Sequence, residues 1–204
     1  METNINSDLG EKSSHSSTDN DPLLLNIINT ANVACGYHAG DTETIENTIQ
    51  IAKKNNVSVG SHPSFKDREN FGRKRLNLSK SEIKKLITDQ LEIMAIACDK
   101  LKYQSTHVKP HGALNNMACE DYDLALTIGE AVKEFDRKLI FMVLAQSEME
   151  KAATNLKMPY ASEIFADRNY EDNGTLVSRN LNHALITDPK KSLDHVMRML
   201  ENKS

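Results

Sequence analysis

The chain has 204 residues, enough for one domain with a sizeable buried core. A net charge of −4 and a pI near 6.0 exclude a global attraction to nucleic acid or to an anionic membrane. With 5% aromatic residues, no Trp and no apolar run of about 18 residues, stacking platforms for single strands and a membrane span are excluded too.

The N-terminal METNINSDLGEKSS is polar and lacks the apolar centre of a signal peptide. Cys35, Cys98 and Cys119 are an odd number at wide spacing, which fits neither a disulfide framework nor a structural zinc site. Reduced thiols and a cytoplasmic location are the expectation.

Residues 3–6 predict a weak strand, closed by Asp8-Leu9-Gly10, and residues 13–21 predict a polar loop. Residues 23–28 form a short apolar run whose type the pattern leaves open. In ANVACGYHAGD, residues 31–41, Val33, Ala34 and Cys35 have the composition of a short buried strand. Asp41 then reads as the N-cap of a helix carrying Ile45, Ile49 and Ala52 on one face. Cys35, within the apolar strand, reads as an inert core thiol.

Residues 57–60 predict a third strand, ending in Ser61-His62-Pro63, and residues 64–78 a long charged loop. Ser79 and Glu82 form a capping box before a helix with Ile83, Leu86, Ile87, Met94, Cys98 and Leu101 on its buried face. Residues 107–109 predict a strand ending in Pro110-His111-Gly112, followed by a helix around residues 124–135. Residues 139–145 are the strongest strand, with a short helix at 147–155 behind it. Residues 163–166 predict another strand, ending in Asp167-Arg168, and residues 184–187 a seventh. Asp188-Pro189 opens a final helix with Leu193, Val196, Met197 and Leu200 inside. Strand and helix alternating at this spacing mean βα units and a parallel sheet, either an irregular β/α barrel or an open doubly wound sheet.

Asp8, His38, Asp41, His62, Lys109, His111, Asp167 and Arg168 each lie at or just past the end of a predicted strand. In a parallel barrel those ends open on one face, so residues distant in sequence converge there. Three chemistries suit such a mouth. Imidazoles beside carboxylates can act in general acid–base catalysis. Asp8 with two of the histidines could ligate a divalent metal, although no close-spaced ligand pair assigns one. Arg and Lys could clamp a carboxylate or phosphate. No Gly-rich nucleotide cradle occurs.

Five ordered blocks carry a resemblance: NSDLGE, TANVACGYHAGD, GSHPSFKD with NFGRKR, HVKPHGALNN and EIFADRNYEDNGTLVSR. From Asn6 to Arg179 the chain resembles the LamB/YcsF family, the A subunits of bacterial 5-oxoprolinase. The resemblance implies an irregular seven-stranded parallel β/α barrel, related in architecture to polysaccharide deacetylases. It implies hydrolytic opening of 5-oxo-L-proline to L-glutamate with ATP as co-substrate, bound by this chain or a partner, alongside subunits B and C. Carried onto this chain, its polar positions are Asp8, His38, Asp41, His62, Arg73, Lys109, His111, Asp167 and Arg168. Read with the chemistry above, Asp8, His38, His62, Lys109, His111 and Asp167 are the catalytic candidates, and Asp41, Arg73 and Arg168 the substrate-binding ones. In this scheme His111 or His62 deprotonates water, oriented by Asp8 or Asp167, and Lys109 stabilises the oxyanion. Ser7 and Asn115 stand where the family has Cys and Tyr. Family members also continue beyond residue 204 through a further strand ending in a His-Gly-Asp block, so the expected barrel lacks its last stave. Two other readings follow from this: a shortened, non-catalytic binding subunit, and a stand-alone metal-dependent hydrolase of the deacetylase kind.

Overall fold

The computed structural model describes residues 3–202; Met1 and Glu2 of the polar N-terminal stretch, and Lys203 and Ser204, lie outside them. In chain order the elements are β1 (Asn6–Leu9), α1 (Asp21–Leu24), β2 (Thr30–Ala34), α2 (Thr42–Lys54), β3 (Ser58–His62) and α3 (Lys80–Leu101). Then come β4 (Ser105–Val108), α4 (Gly112–Glu120), α5 (Tyr122–Phe135), β5 (Ile140–Leu144), α6 (Glu148–Asn155), β6 (Tyr160–Glu163) and α7 (Pro189–Asn202). The six strands are parallel and lie side by side in sequence order. A parallel sheet wound in one direction curls, so the fold is an irregular β/α half-barrel with one strand fewer, among the described residues, than the seven the resemblance implies.

Every residue of β2 is buried, because the sheet is covered on both faces. Leu9, Val33, Ile45, Ile49 and Met94 pack the space between the first strands and α2 and α3. Phe65, Ile87, Leu114, Ile128 and Phe141 pack the other half. The helices start where the sequence offers an acceptor: Asp41 caps α2, Ser79 with Glu82 boxes α3, and Asp121 and Ser147 cap α5 and α6.

The predicted architecture holds, with shifted boundaries. The first strand is Asn6–Leu9 rather than residues 3–6, and residues 23–28 give the end of a short helix and a turn. The predicted strand at 163–166 lies earlier, as Tyr160–Glu163, because the backbone register pairs these residues with Phe141–Leu144 of β5. Residues 184–187 are not a seventh stave; Leu185 makes one isolated antiparallel bridge with Arg168. Helix α4 had no capping signal, since His111 at its N-cap makes no side-chain cap bond. On α7 half of the predicted apolar stripe is turned away: Leu193 and Met197 are 60% and 45% exposed. The helix instead turns Ser192, His195, Val196, Met199 and Leu200 inward, with the Ser192 hydroxyl donating to the Ala166 carbonyl at 2.7 Å.

One glycine fixes the interior. Gly60, in the middle of β3, leaves bare backbone for the His107 ring of β4, and a Cβ there would stand 2.4 Å from that imidazole. The ring crosses over β3 to reach Asn32 of β2, with His107 Nε2 2.9 Å from Asn32 Oδ1. Gly60→Ala forces the ring or the backbone aside, a cost of about 1–3 kcal/mol or more. Urea denaturation of the two proteins should show a lower midpoint for the variant; equal midpoints would mean that both the ring and the His107 carbonyl, also 2.4 Å from that Cβ, can give way.

Candidate active site

The C-terminal ends of the strands bring their side chains to one pole. The segment after β4 continues beside β3, with the Lys109 N–H donating to the Ser61 carbonyl and the His111 N–H to the Pro63 carbonyl, both at 2.9 Å. Residues 107, 109 and 111 therefore alternate into the interior, while Pro110 needs no donor on the other side. Lys109 Nζ lies 3.0 Å from Asp8 Oδ1 on β1, 3.0 Å from Glu163 Oε2 on β6, and 3.3 Å from Asn6 Oδ1. Its three protons thus have three acceptors. Burial opposes the charge of Lys109, but Asp8 and Glu163 outweigh it and raise its pKa. Burial likewise opposes ionisation of Asp8, yet His62 and Lys109 hold its carboxyl well below the usual range. Glu163 is raised by burial despite the ammonium beside it.

Three imidazoles form the second part. His62, the last residue of β3, places Nδ1 2.6 Å from the Lys109 carbonyl, so Nδ1–H donates there. His111 places Nε2 3.0 Å from the Phe71 carbonyl and donates likewise. His62 Nε2 and His111 Nδ1 then face each other at 3.0 Å. His38 stacks on His111 with ring centroids 3.9 Å apart and Nε2 3.0 Å from Glu11 Oε1. Burial depresses His38 to about 2 and His111 to about 3. In His62 the same burial is outweighed by Asp8 and Glu11, which raise it. Phe71, carried on the 64–78 loop, packs edge-on against His38 and His111. That loop is pinned by Arg68, whose guanidinium donates to the Gly36 and Gly40 carbonyls, and by an Arg75–Glu120 pair. Gly72 follows at φ +65°, where a Cβ would collide with Ser64 Oγ.

A cavity of about 410 Å³ opens onto these groups, with Asp8, His62, Lys109 and His111 in its wall. Arg73, Arg168 and Arg179 line it as well. The Arg73 guanidinium lies 4.9 Å over the Phe71 ring, and burial and Arg179 lower its pKa. Arg168 is buried and donates to the Val177 and Ala184 carbonyls, tying the 168–185 loop together. The thiols are pushed up by burial, Cys35 and Cys119 to about 12 and Cys98 to about 11, so none is a ready nucleophile.

Of the nine candidate positions, Asp8, His38, His62, Lys109 and His111 form one contiguous cluster, and Arg73 and Arg168 face its cavity. Two do not join. Asp41 is spent as the α2 cap, its Oδ1 accepting from the Thr44 N–H and hydroxyl at 2.8 Å. Asp167 is exposed, and only its carbonyl is used, accepting from the Ile186 N–H. Its expected place at the strand end belongs to Glu163, because β6 finishes there. Glu11, Glu163 and Arg179 were not singled out, although all three lie in the five ordered blocks; Glu11 sits two residues past the end of β1 and Glu163 ends β6.

The LamB/YcsF family profile matches residues 3–204. Among curated proteins, the A subunit of 5-oxoprolinase from Staphylococcus epidermidis is 41% identical over 204 residues, covering all of this chain and 81% of that protein. The corresponding A subunit from Staphylococcus aureus is 42% identical and covered to 82%. Among solved structures, a lactam utilization protein from Thermus thermophilus superposes with a TM-score of 0.90 at 33% identity, over 98% of this chain and 81% of that one.

Removing the Lys109 charge leaves the buried Glu163 carboxylate without its cation and leaves the half-buried Asp8 with only His62 and Asn32. Breaking a buried pair this way costs about 3–5 kcal/mol. Lys109→Met should therefore lower the denaturation midpoint sharply, and Asp167→Asn should leave it unchanged. Circular dichroism during chemical denaturation checks both; a Lys109→Met protein as stable as the parent would show that the two carboxylates need no cation between them.

Proposed function

The chain belongs to the LamB/YcsF family, and from that premise we propose that it is the A subunit of a 5-oxoprolinase. The reaction is the hydrolytic opening of 5-oxo-L-proline to L-glutamate, coupled to conversion of ATP to ADP and phosphate in an assembly with subunits B and C. The observation that carries this reading is one cavity lined both by members of a buried acid–base cluster and by arginines. A small lactam bearing a carboxylate has matching halves: an amide to be attacked and an anion to be held.

A lactam is resonance-stabilised and resists water. Transfer of the γ-phosphoryl group of ATP to the lactam oxygen makes the ring carbon electrophilic. Water then adds, the C–N bond breaks with a proton going to nitrogen, and a second water releases phosphate from the acyl phosphate. His62 accepts the proton of the attacking water at Nε2, because its Nδ1–H is committed to the Lys109 carbonyl and Asp8 Oδ2 stands 3.4 Å away to steady the imidazolium. Arg73 and Arg179 hold the carboxylate or the phosphoryl group, their guanidiniums making no hydrogen bond to other described residues. Arg168 positions the loop that carries Arg179. Lys109, whose three protons are already accepted, acts by holding Asp8 and the strand ends in place; the expected role as oxyanion donor passes from it.

The test is release of L-glutamate and phosphate from 5-oxo-L-proline and ATP by the full chain with subunits B and C. His62→Gln should lower kcat by about 10²–10⁴-fold. Arg73→Ala should raise KM for 5-oxo-L-proline more than it lowers kcat. No glutamate from the intact assembly, or an unchanged kcat in His62→Gln, overturns the assignment.

A further inference from the structure

We propose that Glu11, His38, His62 and His111 form a binding site for one divalent transition-metal ion. Each offers one ligand atom, and the four atoms lie within 4.8 Å of one another. Donors about 2.0–2.1 Å from a tetrahedral zinc ion stand about 3.3–3.4 Å apart. The separations here bracket that value: 3.0 Å for His62 Nε2 to His111 Nδ1, 3.0 Å for His38 Nε2 to Glu11 Oε1, 3.2 Å for His111 Nδ1 to Glu11 Oε1, and 3.8 Å for His62 Nε2 to the same oxygen.

The hydrogen bonds behind the rings make the stronger case. Two carbonyls, of Lys109 and Phe71, take the N–H groups of His62 Nδ1 and His111 Nε2. In neutral rings the nitrogens that face each other are therefore both lone pairs, a repulsive arrangement that either a proton on His62 Nε2 or a metal ion between them relieves. Metal-ligating histidines characteristically donate their outer N–H to a carbonyl or carboxylate in this way, which fixes the ring and its tautomer. His38 is held differently: its Nδ1 is buried without a hydrogen-bond partner, and its Nε2 faces the same Glu11 oxygen that His62 and His111 face. Three imidazoles and one carboxylate select zinc or a neighbouring first-row ion over magnesium or calcium, which take oxygen ligands.

This site is independent of the lactam reading, and it uses the same His62 lone pair. A bound ion and a His62 that accepts a proton from water are thus mutually exclusive states of the protein.

The full chain, freed of metal with a chelator and dialysed, would be titrated with Zn²⁺ by calorimetry, without lactam, ATP or partner subunits. One ion per chain with a submicromolar Kd is expected, with Mg²⁺ failing to compete. Glu11→Gln and His38→Gln, each checked for folding by circular dichroism, should weaken Zn²⁺ binding at least tenfold. A second readout needs no variant: the Co²⁺-loaded parent should show hyperfine-shifted imidazole N–H proton resonances from His62 and His111. Absence of stoichiometric binding, equal affinity for Mg²⁺, or a Co²⁺ complex without shifted imidazole N–H resonances overturns the proposal. Because no substrate is involved, failure here leaves the ring-opening assignment standing, and failure of ring opening leaves this site standing.

Discussion

The ammonium of Lys109 holds the two ends of the sheet together. β1 and β6 are the edge strands and share no backbone hydrogen bonds. What connects them at this pole is one buried cation, reaching from the end of β4 to Asp8 on one edge and Glu163 on the other. Removing two carboxylates and an ammonium from water is costly, and their mutual attraction offsets that cost only when every proton and lone pair is placed. Here Asn6 takes the third proton and Asn32 donates to Asp8 Oδ1 at 2.9 Å. The interior is accordingly polar where an ordinary barrel packs branched aliphatics.

The same residue governs the histidines through its backbone. The Lys109 carbonyl sets the tautomer of His62, and the next inward residue, His111, is set by Phe71 from the opposite loop. Gly60 permits this arrangement from below, since the His107 ring must cross β3 to anchor Asn32, which in turn anchors Asp8. Charge, tautomer and strand geometry are therefore coupled: a shift in β4 displaces the ammonium, the His62 acceptor and the His111 ring together.

Much of this was legible in the sequence, for a physical reason. Buried strands in a parallel sheet read as short apolar runs, and chemistry collects at their ends, so Asp8, His38, His62, Lys109 and His111 stand out by position alone. Capping residues located α2 and α3 for equally local reasons. What failed was the short, half-exposed strand. β6 is Tyr-Ala-Ser-Glu, with one buried residue, and has no apolar signature of its own. The apolar Ile164 and Phe165 drew the predicted strand forward, and the expected strand-end carboxylate moved from Glu163 to Asp167 with it. Helix α7 shows the opposite failure: its periodicity is strong, but periodicity gives a face and not the partner that face meets.

The two groups of residues that line the cavity also differ in what holds them. On the cluster side every nitrogen but one has a named partner, and the rings are locked between backbone carbonyls and Phe71. On the other side Arg73 rests on an aromatic face and Arg179 rides a loop stapled by Arg168. Preorganised groups lose little freedom when they act on a reacting atom, so rigidity belongs where bonds change. On the proposed reaction, two guanidiniums carried on separate segments suit a pocket that holds both a carboxylate and a phosphoryl group.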